Sequence, residues 1–109
     1  MSDSESRPLA VVELQIVEGQ AEAWWQLAEE LVRDSRQEPG CVRYEFLQDL
    51  DDPHRVTLLE QFRDMDAVMA HLTRLKERYG EAAGGDPHAA PEALTQFWAG
   101  ATMRRVRTL

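Results

Sequence analysis

Apolar and polar positions along the chain switch between two repeats. From Leu9 to Val17 the run LAVVELQIV ends in alternation, with Glu13 and Gln15 set between Val12, Leu14 and Ile16. A two-residue repeat of this kind predicts a strand with one buried face. Glu18-Gly19 breaks it. From about Gln20 to Gln37 the apolar spacing becomes three and four: Trp24, Leu27, Ala28, Leu31 and Ser35 form one stripe. Glu29, Glu30, Arg33, Asp34 and Arg36 fill much of the opposite side, while Trp25 and Val32 widen one edge of the stripe, as in a helix that covers a core. Pro39-Gly40 ends that helix and turns the chain.

Alternation returns at Cys41–Leu47, which predicts a second strand with Val42, Tyr44 and Phe46 on one face and Cys41, Arg43, Glu45 and Leu47 on the other. The polar stretch from Gln48 to His54 reads as a hairpin connection to a third strand, Arg55–Phe62. Val56, Leu58, Glu60 and Phe62 share one of its faces. Asp64 is placed to cap a second long helix that presents Met65, Val68, Met69, Leu72, Leu75 and Tyr79 on one side. Gly80 and Gly84-Gly85-Asp86-Pro87 form a loop. A short helical piece over His88–Trp98 then leads to a last strand near Ala101–Thr108.

The order β-α-β-β-α-(short α)-β, with a hairpin at its centre and two one-faced helices, predicts an α+β, ferredoxin-like antiparallel sheet covered on one side. The sheet's second face also carries apolar residues. A partner subunit's sheet would cover it and give a dimeric, closed α/β barrel. Residues 1–8 are polar and read as a disordered lead-in, which leaves 9–109 as a single domain.

Composition narrows the function classes. With 12 Lys+Arg against 20 Asp+Glu the net charge is -8, so no general attraction to nucleic acid or to anionic membrane is expected. The basic run Arg104-Arg105-Val106-Arg107 is too short to change that. No apolar stretch approaches the roughly 18 residues of a membrane helix, and the start MSDSESRPLA lacks the order of a secretory signal. A single cysteine, Cys41, excludes an internal disulfide framework and points to a reducing compartment. The expected location is cytoplasmic.

Among the side chains able to carry chemistry, His71 comes first. It lies on the flank of the second helix's apolar stripe, where an imidazole can exchange a proton with a ligand or make a structural hydrogen bond. Glu60 occupies a strand face otherwise made of Val56, Leu58 and Phe62, so it must be paired, hydrogen-bonded or protonated. Strand parity favours Tyr44 over Arg43 as its neighbour. Trp24 belongs to the first helix's stripe, whereas Trp25 and Trp98 can wall a pocket or pack in a core. No Cys or His pair has metal-ligand spacing, and no phosphate-cradling glycine motif is present.

The ordered set Glu38-Pro39-Gly40-Cys41-Val42-Arg43-Tyr44-Glu45, Asp52-Pro53, Leu59-Glu60-Gln61-Phe62 and His71 resembles the antibiotic biosynthesis monooxygenase (ABM) family over roughly residues 9–79. That family's pattern is EPGC-hydrophobic-x-Y, a DP in the hairpin, E-x-W on the third strand and a histidine in the next helix. The resemblance implies a homodimeric α+β barrel with one pocket per subunit. It also implies an oxygenase that needs no cofactor and lets an electron-rich phenol, anthrone or quinol reduce dioxygen after deprotonation. Other members degrade haem or isomerise small metabolites. Phe62 stands where tryptophan is usual, the chain has no asparagine, and Glu81 stands where haem-degrading relatives place an iron-ligating histidine. Haem degradation is therefore not expected.

The reading that follows is a monooxygenase of a small aromatic substrate, with no cofactor and no metal. His71, Glu60 and Tyr44 are its candidate catalytic residues; Phe62, Met69, Trp25, Trp98 and Arg43 are candidates for binding substrate. A non-catalytic ligand-binding or dimerisation module, and an isomerase or cyclase of a small metabolite, are the alternatives.

Overall fold

The computed structural model describes residues 7–107. Strands β1 (Leu9–Ile16), β2 (Cys41–Gln48), β3 (Arg55–Phe62) and β4 (Trp98–Val106) form one sheet, with helices α1 (Ala21–Arg36), α2 (Met65–Tyr79) and the short α3 (Glu92–Thr95). The sheet order is β2-β3-β1-β4 and every neighbouring pair is antiparallel. This is the ferredoxin-like topology.

Alternation along the central strands decides which side chains meet the helices. Leu14 and Ile16 of β1 and Val56, Leu58 and Phe62 of β3 are buried, and Trp24, Ala28 and Leu31 of α1 close over them. Trp24 is fully buried and meets Phe46 and Trp98 edge-on, with centroids 5.4 and 5.9 Å away. In the β2–β3 hairpin, Asp49 accepts from the backbone N–H groups of Asp51 and Asp52, and Asp52 accepts from that of His54. Such Asx turns let a short polar stretch reverse the chain.

The barrel expectation is corrected here. The sheet is open: β2 and β4 lie at its two ends as edge strands and do not pair with each other. A barrel requires the first and last strands to join. The side away from the helices stays uncovered by the chain, and its β4 positions Thr102 and Arg104, like Glu13 and Gln15 of β1, are exposed and polar.

Three local details also differ from the sequence pattern. A bulge between Cys41 and Arg43 sets Cys41 opposite Phe62, so Cys41 packs on the core and Val42 turns outward at 48% exposure. One inserted residue reverses strand parity, and alternation alone does not reveal it. Helix α2 is capped as predicted, with Asp64 accepting from Ala67 N at 2.9 Å. Its buried stripe, however, is Ala67, His71 and Leu75, while Met65 and Met69 are about half exposed. The helical piece expected over 88–98 shortens to α3, because Trp98 already pairs with Ile16 in β4. The predicted lead-in over 1–8 lies mostly outside the described residues; at its end, the Pro8 carbonyl accepts from Phe62 N.

Candidate functional site

The site begins with a turn. After α1 ends, the chain folds back through Glu38-Pro39-Gly40, with Cys41 N donating to the Glu38 carbonyl at 3.0 Å. Gly40 lies directly against Ala67 of α2, with no room for a side chain between them. Four residues after Ala67, one helical turn along the same face, comes His71. The Gly40–Ala67 contact thus seats α2 on the turn and brings His71 to Glu38.

His71 and Glu38 form a buried pair, 3% and 9% exposed, with Nδ1 3.0 Å from Oε2 and 3.2 Å from Oε1. A carboxylate only accepts, so Nδ1–H donates, and in the neutral imidazole it is then the other nitrogen, Nε2, that carries the lone pair. The ring is held by Phe62, at 4.8 Å between centroids, and by Tyr44, at 5.4 Å. A base whose tautomer and orientation are both fixed is the arrangement general-base chemistry requires.

Cross-strand register places Glu60 opposite Tyr44. Burial pushes the Glu60 carboxyl above its ordinary 4.5; His71 draws it down and Glu38 adds to the rise. The Tyr44 phenol is driven well above its usual range by burial and by the neighbouring Glu60, against a hydrogen bond with Ser35 that lowers it. Tyr44 therefore stays protonated and serves only as a neutral phenol.

Two adjoining lobes open between helices and sheet. The first, about 270 Å³, is lined by Tyr44, Phe46, Glu60, His71, Leu72, Leu75 and Trp98 among others. The second, about 220 Å³, is lined by Phe62, Met65, Val68, Met69 and Arg105. Glu60, Leu72, His88 and Met103 belong to both walls. The walls are mainly apolar, with a few converging polar groups, the usual make-up of a site for a small organic ligand. The indole Nε1 of Trp98 is buried without a hydrogen-bond partner and is a spare donor in the wall of the first lobe.

Of the residues singled out from the sequence, His71, Glu60, Tyr44 and Trp98 thus come together on the first lobe, and Phe62 and Met69 on the second. Trp25 and Arg43 do not join them. Trp25 follows Trp24 by one residue, about 100° around the helix, and lines an open groove against Phe46 and Leu47. Arg43, beyond the bulge, points to the other side of the sheet and pairs with Glu45 at 3.9 Å. Glu38, His88, Met103 and Arg105 were missed. Glu38 carried a readable signal, a carboxylate directly before the Pro-Gly turn; the other three become neighbours only through the β1–β4 pairing and the loop after α2. Among the described residues, no three His, Cys, Asp or Glu side chains gather as a metal-binding group.

Fold and site together define a small ferredoxin-like α+β protein in which a histidine paired with a buried glutamate lines an apolar cavity. The antibiotic biosynthesis monooxygenase profile matches residues 9–79, more than half of the chain, and the protein belongs to that family. No curated protein is significantly similar in sequence. Among solved structures, a protein from Pseudomonas aeruginosa superposes with a TM-score of 0.71 at 22% identity, covering 97% of each chain. A conserved protein from Methanosarcina mazei gives 0.71 at 19% identity, covering 98% of this chain and 97% of its own. An antibiotic biosynthesis monooxygenase homologue from Nitrosomonas europaea gives 0.70 at 22%, covering 94% of this chain and 98% of its own. At these identities the likeness is one of fold.

Proposed function

We propose that the protein is a cofactor-independent monooxygenase that oxidises a phenolic, anthrone or quinol-type aromatic with dioxygen. The observation that carries this reading is the buried Glu38–His71 pair, whose imidazole lines an apolar cavity while Glu38 holds it from behind. His71 Nε2 takes the substrate's acidic proton, and Glu38 stabilises the imidazolium that forms. Tyr44, a neutral phenol, donates a hydrogen bond to the oxygen on which the substrate's negative charge collects, and Glu60 lies opposite it in the sheet. Phe62, Met69 and Trp98 hold the ring system.

For an anthrone the steps balance without an outside reductant. The deprotonated substrate passes one electron to dioxygen, and the two radicals join as a peroxide at the ring carbon, which takes a proton back from His71. Loss of the remaining C–H proton with departure of hydroxide leaves the new carbonyl and one water. His71 returns to its starting state.

The family setting and the uncovered face of the sheet, which carries Val11, Leu47 and Leu59, support association of two copies. Light scattering should give twice the 12.5 kDa chain mass, and a monomer at micromolar concentration would overturn that part. The enzymatic reading is tested by oxygen uptake of the purified, metal-stripped protein with anthrone. It predicts one dioxygen consumed for each anthraquinone formed, well above the rate without protein. No enhancement with any of a panel of anthrones and hydroquinones would reject it.

A further inference from the structure

Among the described residues, Arg105 is the one arginine in the wall of either lobe. Arg78 is bound to Glu30 and Asp34, Arg63 to Asp64, and Arg36 donates to the Tyr44 carbonyl. Like those of Arg55, Arg74 and Arg104, the side chain of Arg105 has no hydrogen bond or ion pair with any described residue; its place in the lobe wall is what distinguishes it. It does not lie on the open side of the sheet. Its register partner is Ala10, and two residues before it Met103 pairs with Val12. Alternation puts Arg105 on the helix-facing side, in the wall of the second lobe beside Phe62, Met69 and Met103.

An arginine on the inner face of an edge strand can rest its stem on apolar surface and keep its head in water. Here that position is the mouth of the lobe. Glu60 shares the lobe but lies beyond ion-pair distance, so it does not neutralise the guanidinium. A guanidinium presents paired N–H donors that match two oxygens of a carboxylate or sulfonate. The two lobes meet at Glu60, Leu72, His88 and Met103, so a flat ring system extending from one into the other reaches the Arg105 mouth while its other end faces His71.

We propose that the cavity selects an aromatic acid, with Arg105 binding a carboxylate or equivalent anionic substituent on the ring remote from the reacting carbon. This rests on the reading of the cavity as the substrate site. It makes Arg105 a specificity residue with no part in the chemistry.

The test is calorimetric binding of two unreactive probes of nearly equal shape, anthraquinone-2-carboxylate and anthraquinone-2-carboxamide. The wild type should bind the carboxylate about ten- to a hundredfold more tightly, as expected for a charge-assisted contact. Arg105→Gln should abolish that preference and leave the carboxamide affinity unchanged. Arg104→Gln, one residue away on the opposite face, should behave as wild type. Equal binding of the two probes by the wild type would overturn the Arg105 proposal and leave the cavity reading standing. A preference that survives in Arg105→Gln, or that Arg104→Gln removes equally, would also overturn it. If neither probe binds, the proposal and the cavity reading fail together.

Discussion

Glu60 is the residue whose chemistry is plainest from the sequence, because a carboxylate in a run of apolar strand positions has to be accommodated somehow. The structure accommodates it half-buried opposite Tyr44, with its carboxyl raised above 4.5. A carboxyl raised on folding binds its proton more tightly in the native state. The stability this gives is fully present below the ordinary value and is lost as pH rises through the folded one. Glu60→Gln, which keeps the shape and cannot ionise, should therefore melt close to wild type at about pH 4 and above it at neutral pH. Thermal melts across that range decide the point: a parallel pair of curves would mean that Glu60 is not desolvated. Glu38 was harder to read. Its position before Pro39 marks a turn, but its burial depends on a helix that begins almost thirty residues later, and no local pattern encodes that.

At the scale of elements, each strand and long helix is legible from periodicity, to within a residue or two at most ends. What periodicity misjudged is rotation and parity. The most apolar side of α2, centred on Met65 and Leu72, is not the side that packs deepest, because the close approach of Gly40 needs a small residue, Ala67, at the contact. That contact turns His71 from the flank into the middle of the buried stripe, and leaves Met65 and Met69 at the cavity. Likewise, the bulge at Val42 is silent in the alternation and exchanges the faces of Cys41 and Val42, while Arg43 stays on the side opposite Tyr44, where alternation placed it. Gly40→Ala should destabilise the fold by about 1–3 kcal/mol, since the added methyl must displace α2. Ala67→Gly alone should cost about 1 kcal/mol through helix propensity. The double variant should recover part of the sum if the contact is the cause. Chemical denaturation of the three variants measures this, and strictly additive losses would contradict it.

For the whole molecule, the β-α-β-β-α-β order was enough to predict the ferredoxin-like sheet, whereas closure into a barrel was not encoded in it. The four strands leave two free edges and one bare face. No helix among the described residues is long and apolar enough to cross a membrane. What the fold adds beyond its elements is the two-lobed cavity, assembled from β1, β2, β3, β4, α1, α2 and the loop that carries His88. The central claim is that His71, held by Glu38, is the base in that cavity. Truncating one member of a buried hydrogen-bonded pair that includes a carboxylate is itself destabilising, by roughly 1–3 kcal/mol. The decisive comparison therefore uses Glu38→Gln and His71→Gln, which preserve shape, with folding verified by circular dichroism. The measurement is kcat and KM for anthrone from oxygen uptake. The account predicts kcat lower by about 10²–10⁴-fold in His71→Gln, and a smaller fall in Glu38→Gln, with KM nearly unchanged in the two. Folded variants that turn over anthrone at the wild-type kcat would contradict it.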